Sequence, residues 1–171
     1  LGKITQTNPP EVTSGIRHRY PYQPAQELAR LPRTATIRMA GGGTIELELL
    51  VSEAPITVAR FSGLARARYY DGLTFHRVVP NFVIQGGSPG ANEYDGASRY
   101  MRDEGGPGPH PQGYVGISTR GRDTGDAQIF IDLVDIARLD HEYTVFAKVV
   151  RGFDVVQRVL EGAMIVTVTV N

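Results

Sequence analysis

From Thr34 onward the chain alternates. Thr34 to Met39 and Thr44 to Leu50 place apolar residues at every second position, with Ile45, Leu47 and Leu49 opposed to Glu46 and Glu48. Gly41-Gly42-Gly43 supplies turn residues between them, so the pattern predicts a β-hairpin with one buried face. At Pro55 the period changes. Val58, Phe61, Leu64 and Ala65 recur at helical spacings, which predicts an amphipathic helix over Pro55 to Arg66, opened by its proline and carrying Arg60 and Arg66 on the polar face. Two short strands are expected next, Leu73 to Val79 and Phe82 to Gln85, parted by the turn dipeptide Pro80-Asn81.

Glycine, proline, aspartate and asparagine dominate from Gly86 to Gly113, which reads as a long surface loop, and a connection of that length in a compact domain is functional or mobile. Strands resume at Tyr114 to Ser118, Gln128 to Asp132 and Thr144 to Val150. A second helix is expected over Phe153 to Glu161, with Val155, Val156, Val159 and Leu160 on one face, and Ile165 to Val170 forms the last strand. Residues 1–33 are polar and proline-rich without a sustained period; they read as an N-terminal extension, with one helical turn at 26–30, to a single domain over 34–171. Many short, β-branched strands with only two helices make this a mainly β domain, either a closed antiparallel barrel or a sandwich.

Composition narrows the partners more than the fold. Eighteen basic residues balance 18 acidic ones, so the chain lacks the basic field that nucleic acid or an acidic membrane surface requires. A hydrophobic content of 41% over 171 residues suffices for one core. No cysteine is present, which removes disulfides, thiolate nucleophiles and cysteine-ligated zinc, and suits cytosol and periplasm alike. There is no run of eighteen apolar residues and no leader-like N-terminus, so no membrane partner is expected. The start at Leu1 rather than methionine is that of a processed form or a piece of a longer chain. His18, His76, His110 and His141 show no metal-ligand spacing, and His76 reads as a hydrogen-bonded structural histidine.

Candidate chemistry concentrates in Phe75 to Ser88, where Arg77 and Gln85 interrupt two apolar runs. A guanidinium among such neighbours is costly unless paired or used. Phe75 to Gly87 resembles the signature of the cyclophilins, the cyclosporin-binding peptidyl-prolyl cis-trans isomerases, in a bacterial-like and divergent form. Gln128-Ile129-Phe130-Ile131 resembles that family's second groove segment, and Leu139 to Phe146 its third. The resemblance implies a closed eight-stranded antiparallel β-barrel capped by two α-helices, with a substrate groove on its outer surface. Carried over by position, Arg77 resembles the catalytic arginine and Gln85 the residue that holds the substrate backbone. Phe82, Val83, Phe130 and Leu139 resemble the proline pocket, Gln128 a further groove glutamine, and Ser118 and Thr119 part of a backbone-binding stretch. Tyr143 stands at the pocket edge where many members have histidine, and Arg138 where cyclosporin-sensitive members have tryptophan, so weakened drug binding is expected.

These residue types suit rotation about an X-Pro bond. The barrier, ~18–20 kcal/mol, comes from amide resonance, and no bond breaks, so the catalyst needs a positioned donor for the twisted amide and no cofactor. Arginine keeps its proton when partly desolvated, where lysine would tend to lose it. The expected partners are proline-containing peptides or unfolded chains, met by a monomer. The rival reading is a barrel that grips proline peptides or a partner without turnover. Gly86-Gly-Ser88-Pro-Gly90 also matches a serine-hydrolase elbow, but Pro89 lacks the backbone N–H that an oxyanion hole requires there.

Overall fold

Alternation becomes pairing in β1 (Thr34–Met39) and β2 (Thr44–Leu49), which run antiparallel with Ile37 opposite Ile45 and Ala35 opposite Leu47. The computed structural model describes residues 28–104 and 108–171; the expected extension lies outside these up to residue 27, and the helical turn expected at 26–30 lies only partly within them. Ala35, Ile37, Met39, Ile45, Leu47 and Leu49 are all buried, so one face of the hairpin forms barrel interior. Helix α1 (Pro55–Arg66) has the predicted bounds and buries Val58, Phe61 and Ala65. The Phe61 ring meets Tyr70 and Phe146 at centroid distances of 5.4 and 5.1 Å, which joins the helix to the barrel core through aromatic surface.

The expected strand Leu73 to Val79 is divided at His76 into β3 (Thr74–Phe75) and β4 (Arg77–Val78). Further strands are β5 (Val83–Gly86), β6 (Tyr114–Ile117), β7 (Ile129–Asp132), β8 (Val145–Arg151) and β9 (Ala163–Val170). The sheet runs β3-β9-β1-β2-β8-β6-β7-β5-β4. Its two ends are consecutive pieces of one segment, so the sheet wraps into a nearly closed barrel. Nine strands therefore replace the eight expected. The difference is the division at His76, where the segment changes partner from β9 to β5 and the ladder breaks.

Two other expectations are corrected. The second helix, α2 (Phe153–Val156), is a single turn rather than a helix reaching Glu161. Val156 and Val159 reach the core, but Leu160 is exposed, and Gly162 at φ +87° turns the chain back into β9. The stretch 86–113 is not simply a surface loop, since Ser88, Met101 and His110 are buried against the barrel. Its Glu104 carboxylate accepts the backbone N–H groups of Ile56 and Thr57 at 2.9 and 2.7 Å, satisfying free donors at the start of α1. Among the described residues no helix is long and apolar enough to cross a membrane.

Candidate active site

In β5 and β7 the side-chain alternation splits one segment between two environments. Ile84, Ile129 and Ile131 belong to the barrel core, whereas Val83 and Phe130 join Ile136 in a separate apolar cluster with Phe82, Leu139 and Tyr143 packed against it. Register then sets a row across four strands: Arg77 lies opposite Gln85, Gln85 opposite Phe130, and Phe130 opposite Gly116. The glycine is needed there, because a Cβ on Gly116 would lie 2.3 Å from Cζ of Phe130. Tyr143 meets the Phe130 ring edge-on at 5.6 Å, and His110 stacks on it at 5.8 Å.

This row opens into a groove of about 180 Å³. Its apolar lining is Phe82, Val83, Phe130, Leu139 and Tyr143; its polar lining is Arg77, Gln85, Glu93, Ser118 and Thr119. Leu139 arrives on a 3₁₀ turn, Ala137–Leu139, that periodicity does not reveal. A wider polar depression of about 430 Å³, which includes Arg102, Asp123 and Glu142, shares Thr119 and Tyr143 with the groove.

The polar side is wired together. Arg77 Nη1 donates to Gln85 Oε1 at 3.2 Å, and Gln85 Nε2 donates to Ser118 Oγ at 3.0 Å and Gln128 Oε1 at 2.9 Å. Gln128 Nε2 in turn donates to the carbonyls of Asn92 and Asp95 at 3.1 and 2.6 Å. Gln128 thus departs from its expected place: it is 1% exposed and lies behind Gln85 rather than lining the groove. The Arg77 side chain, 35% exposed, also pairs through Nε with Glu93 Oε1 at 3.2 Å. Its guanidinium carbon is 5.9 Å from the Phe82 ring centroid, and that of Arg138 is 4.2 Å from the same ring.

Behind the apolar lining sits a buried pair. His110 Nδ1 is 3.0 Å from Asp132 Oδ2, both side chains being fully buried. Burial pushes the Asp132 carboxyl above its usual range, against the opposing pull of the His110 hydrogen bond. His76, between β3 and β4, has both ring nitrogens buried, and the hydrogen bond expected of it is reduced to a contact with the Thr74 backbone outside ideal geometry. Desolvation holds its pKa below the ordinary value despite the Glu93 carboxylate, the Thr74 backbone and the Glu161 carboxylate.

Sequence reasoning missed Glu93, Gly116 and the contact between Arg138 and Phe82. Glu93 follows Gln85 by eight positions in a stretch without periodicity, so only the folded loop brings it to Arg77. Ser88, the hydrolase-like serine, is 1% exposed and its Oγ accepts the Asn92 backbone N–H at 3.3 Å, a loop role. Among the described residues no group of three histidine or acidic side chains is placed to hold a metal.

Known proteins share this architecture. The family model described as "Cyclophilin type peptidyl-prolyl cis-trans isomerase/CLD" matches residues 34–169. A peptidyl-prolyl cis-trans isomerase of Helicobacter pylori is 38% identical over 147 residues, covering 84% of this chain and 89% of the relative. Peptidyl-prolyl cis-trans isomerase B of Bacillus subtilis is 38% identical over 141 residues, covering 81% and 99%. The crystal structure of a Cryptosporidium parvum cyclophilin type peptidyl-prolyl cis-trans isomerase superposes with a TM-score of 0.76 at 24% identity, over 82% of this chain and 98% of that one. A second structure of that protein, in the presence of the dipeptide Ala-Pro, gives a TM-score of 0.75 at 24% identity over 81% and 98%. Agreement of sequence and fold over most of its length makes the chain a member of the cyclophilin-type peptidyl-prolyl cis-trans isomerases, and an enzyme of that class.

Proposed function

We propose that Arg77 is the donor that steadies the twisted amide, and that the apolar lining of the groove takes the proline ring. The observation that carries this is the placement of one half-exposed guanidinium at the polar side of a groove whose other side is Phe82, Val83, Phe130, Leu139 and Tyr143. Rotation of an X-Pro bond destroys amide resonance and returns a lone pair to the prolyl nitrogen. An N–H of Arg77 donates to that lone pair, an interaction available only near the transition state, so it lowers the barrier rather than merely tightening binding. Nε and Nη1 are engaged by Glu93 and Gln85, but a guanidinium has five N–H donors and hydrogens remain for the substrate.

The apolar lining holds the pyrrolidine ring still while the carbonyl side turns. Gln85, Ser118 and Thr119 take the substrate backbone. Gln128 acts as a positioning residue, fixing the Gln85 amide so that its carbonyl faces Arg77. The ligands proposed for the groove are extended proline-containing segments, including those of unfolded chains, met by a monomer, with the balanced charge of 18 basic and 18 acidic residues arguing against nucleic acid or an acidic membrane surface. The Ala-Pro dipeptide present with the Cryptosporidium relative is of that chemical class.

The test is the cis-to-trans rate of an alanyl-prolyl peptide. Arg77→Ala is expected to lower kcat/KM by roughly 10²–10³-fold, the range for loss of one transition-state donor. Its far-UV circular dichroism is expected to match that of the parent. Equal rates for parent and variant would remove Arg77 from the mechanism.

A further inference from the structure

We infer that Glu93 sets the charge preference of the groove, favouring X-Pro segments with a cation beside the proline and disfavouring those with an acid. This deepens the reading above and rests on the groove being the substrate site. Two charged side chains line the groove, Arg77 and Glu93, and they cancel. They are not equally accessible. Glu93 is 53% exposed and Arg77 is 35% exposed, so the negative member of the pair is the one an arriving peptide meets more readily.

The backbone that carries Glu93 is also held in place, and Arg77 engages the carboxylate itself. Arg120 Nη1 donates to the Glu93 carbonyl at 3.1 Å, while Gln128 fixes the carbonyls of Asn92 and Asp95 on either side. Asn92 Oδ1 accepts the backbone N–H groups of Tyr94 and Asp95 at 2.8 and 2.9 Å, which shapes the turn that presents Glu93. A ring of contacts results, running from Arg77 through Gln85 and Gln128 to the loop and back through Glu93. Glu93 therefore stays near the reacting bond when a peptide enters, and this preorganisation is what lets one surface charge discriminate.

Other charges near the groove do not duplicate it. Arg138 lies over Phe82 on the apolar side, and Arg120 is engaged by Asp126 at 3.1 Å. Without Glu93 the groove's own lining would present Arg77, with Arg138 beside it on Phe82, a local field that attracts acids; Asp103, Asp123 and Glu142 in the adjoining depression are offset in part by Arg102 and Arg122. Two charges about 6–8 Å apart at a half-exposed site discriminate by about fivefold, and salt weakens the effect.

The experiment measures kcat/KM for matched tetrapeptides with Lys, Gln or Glu immediately before the proline or one residue further out, for the parent, Glu93→Gln, Glu93→Asp and Arg77→Ala. For the parent, a Lys-over-Glu ratio of about fivefold is expected at low salt, collapsing toward one at high salt. Glu93→Gln is expected to reverse the preference toward Glu, while Glu93→Asp keeps the parental sign. An unchanged ratio in Glu93→Gln, with Arg77→Ala inactive, overturns the role of Glu93 and leaves the groove intact. An Arg77→Ala variant as fast as the parent overturns both readings.

Discussion

Arg138 stacks on Phe82 at the position where cyclosporin-sensitive relatives are expected to carry tryptophan. An indole offers one neutral N–H donor and a flat apolar face, whereas a guanidinium brings a charge whose hydration must be removed when a bulky apolar ligand covers it. Calorimetry is expected to give weak cyclosporin binding, and Arg138→Trp to tighten it at least about tenfold, or roughly 1.4 kcal/mol. His76 bears on stability instead. Its folded pKa lies below the ordinary 6.5, so just under that pH the unfolded chain binds more protons than the native one, and stability is lost as pH falls. Melting temperature is expected to drop between pH 7 and pH 5, and His76→Leu to flatten this drop. A profile for His76→Leu as steep as the parent's would place the sensitivity elsewhere.

At the scale of elements, β6 and β7 show how a missing side chain shapes a site. Gly116 leaves room for the Phe130 ring. Gly116→Ala overpacks that place, which costs about 1–3 kcal/mol of stability by urea unfolding and displaces the ring from the groove. A fall of about tenfold or more in kcat/KM is expected with it; full activity would mean that the ring has room elsewhere. Elements governed by local pattern, β1, β2 and α1, were legible in the sequence because alternation and helical period report which face is buried. The break at His76 and the one-turn α2 were not, since each depends on where distant strands end. Most candidate groove residues stood out through their motif. Gln128 could not be placed behind Gln85, nor Glu93 beside Arg77, because both placements depend on a loop folding back on itself.

For the molecule as a whole, the N-terminal boundary can be tested directly. Leu31 packs against the core and Arg33 donates its backbone N–H to the Asn171 carbonyl at 2.9 Å, while the family match begins at residue 34. Deleting residues 1–27 is expected to leave the melting temperature within a few degrees and the isomerase rate unchanged; loss of soluble protein would show that the domain extends further back. The barrel's closure has a consequence of its own. Thr74 to Val78 holds both edges of the wall, through ladders of two residues each, and Arg77 rides on that stretch. On the β9 side the buried Phe75 and the N–H groups of Gly162 and Ile165, which donate to the Phe75 and Leu73 carbonyls at 2.8 Å, pin the zip, so warming should undo the partly exposed Arg77–Val78 side before the remaining cylinder loosens. The enzyme would then carry a built-in fuse, with turnover failing some degrees below the temperature at which the strands themselves come apart.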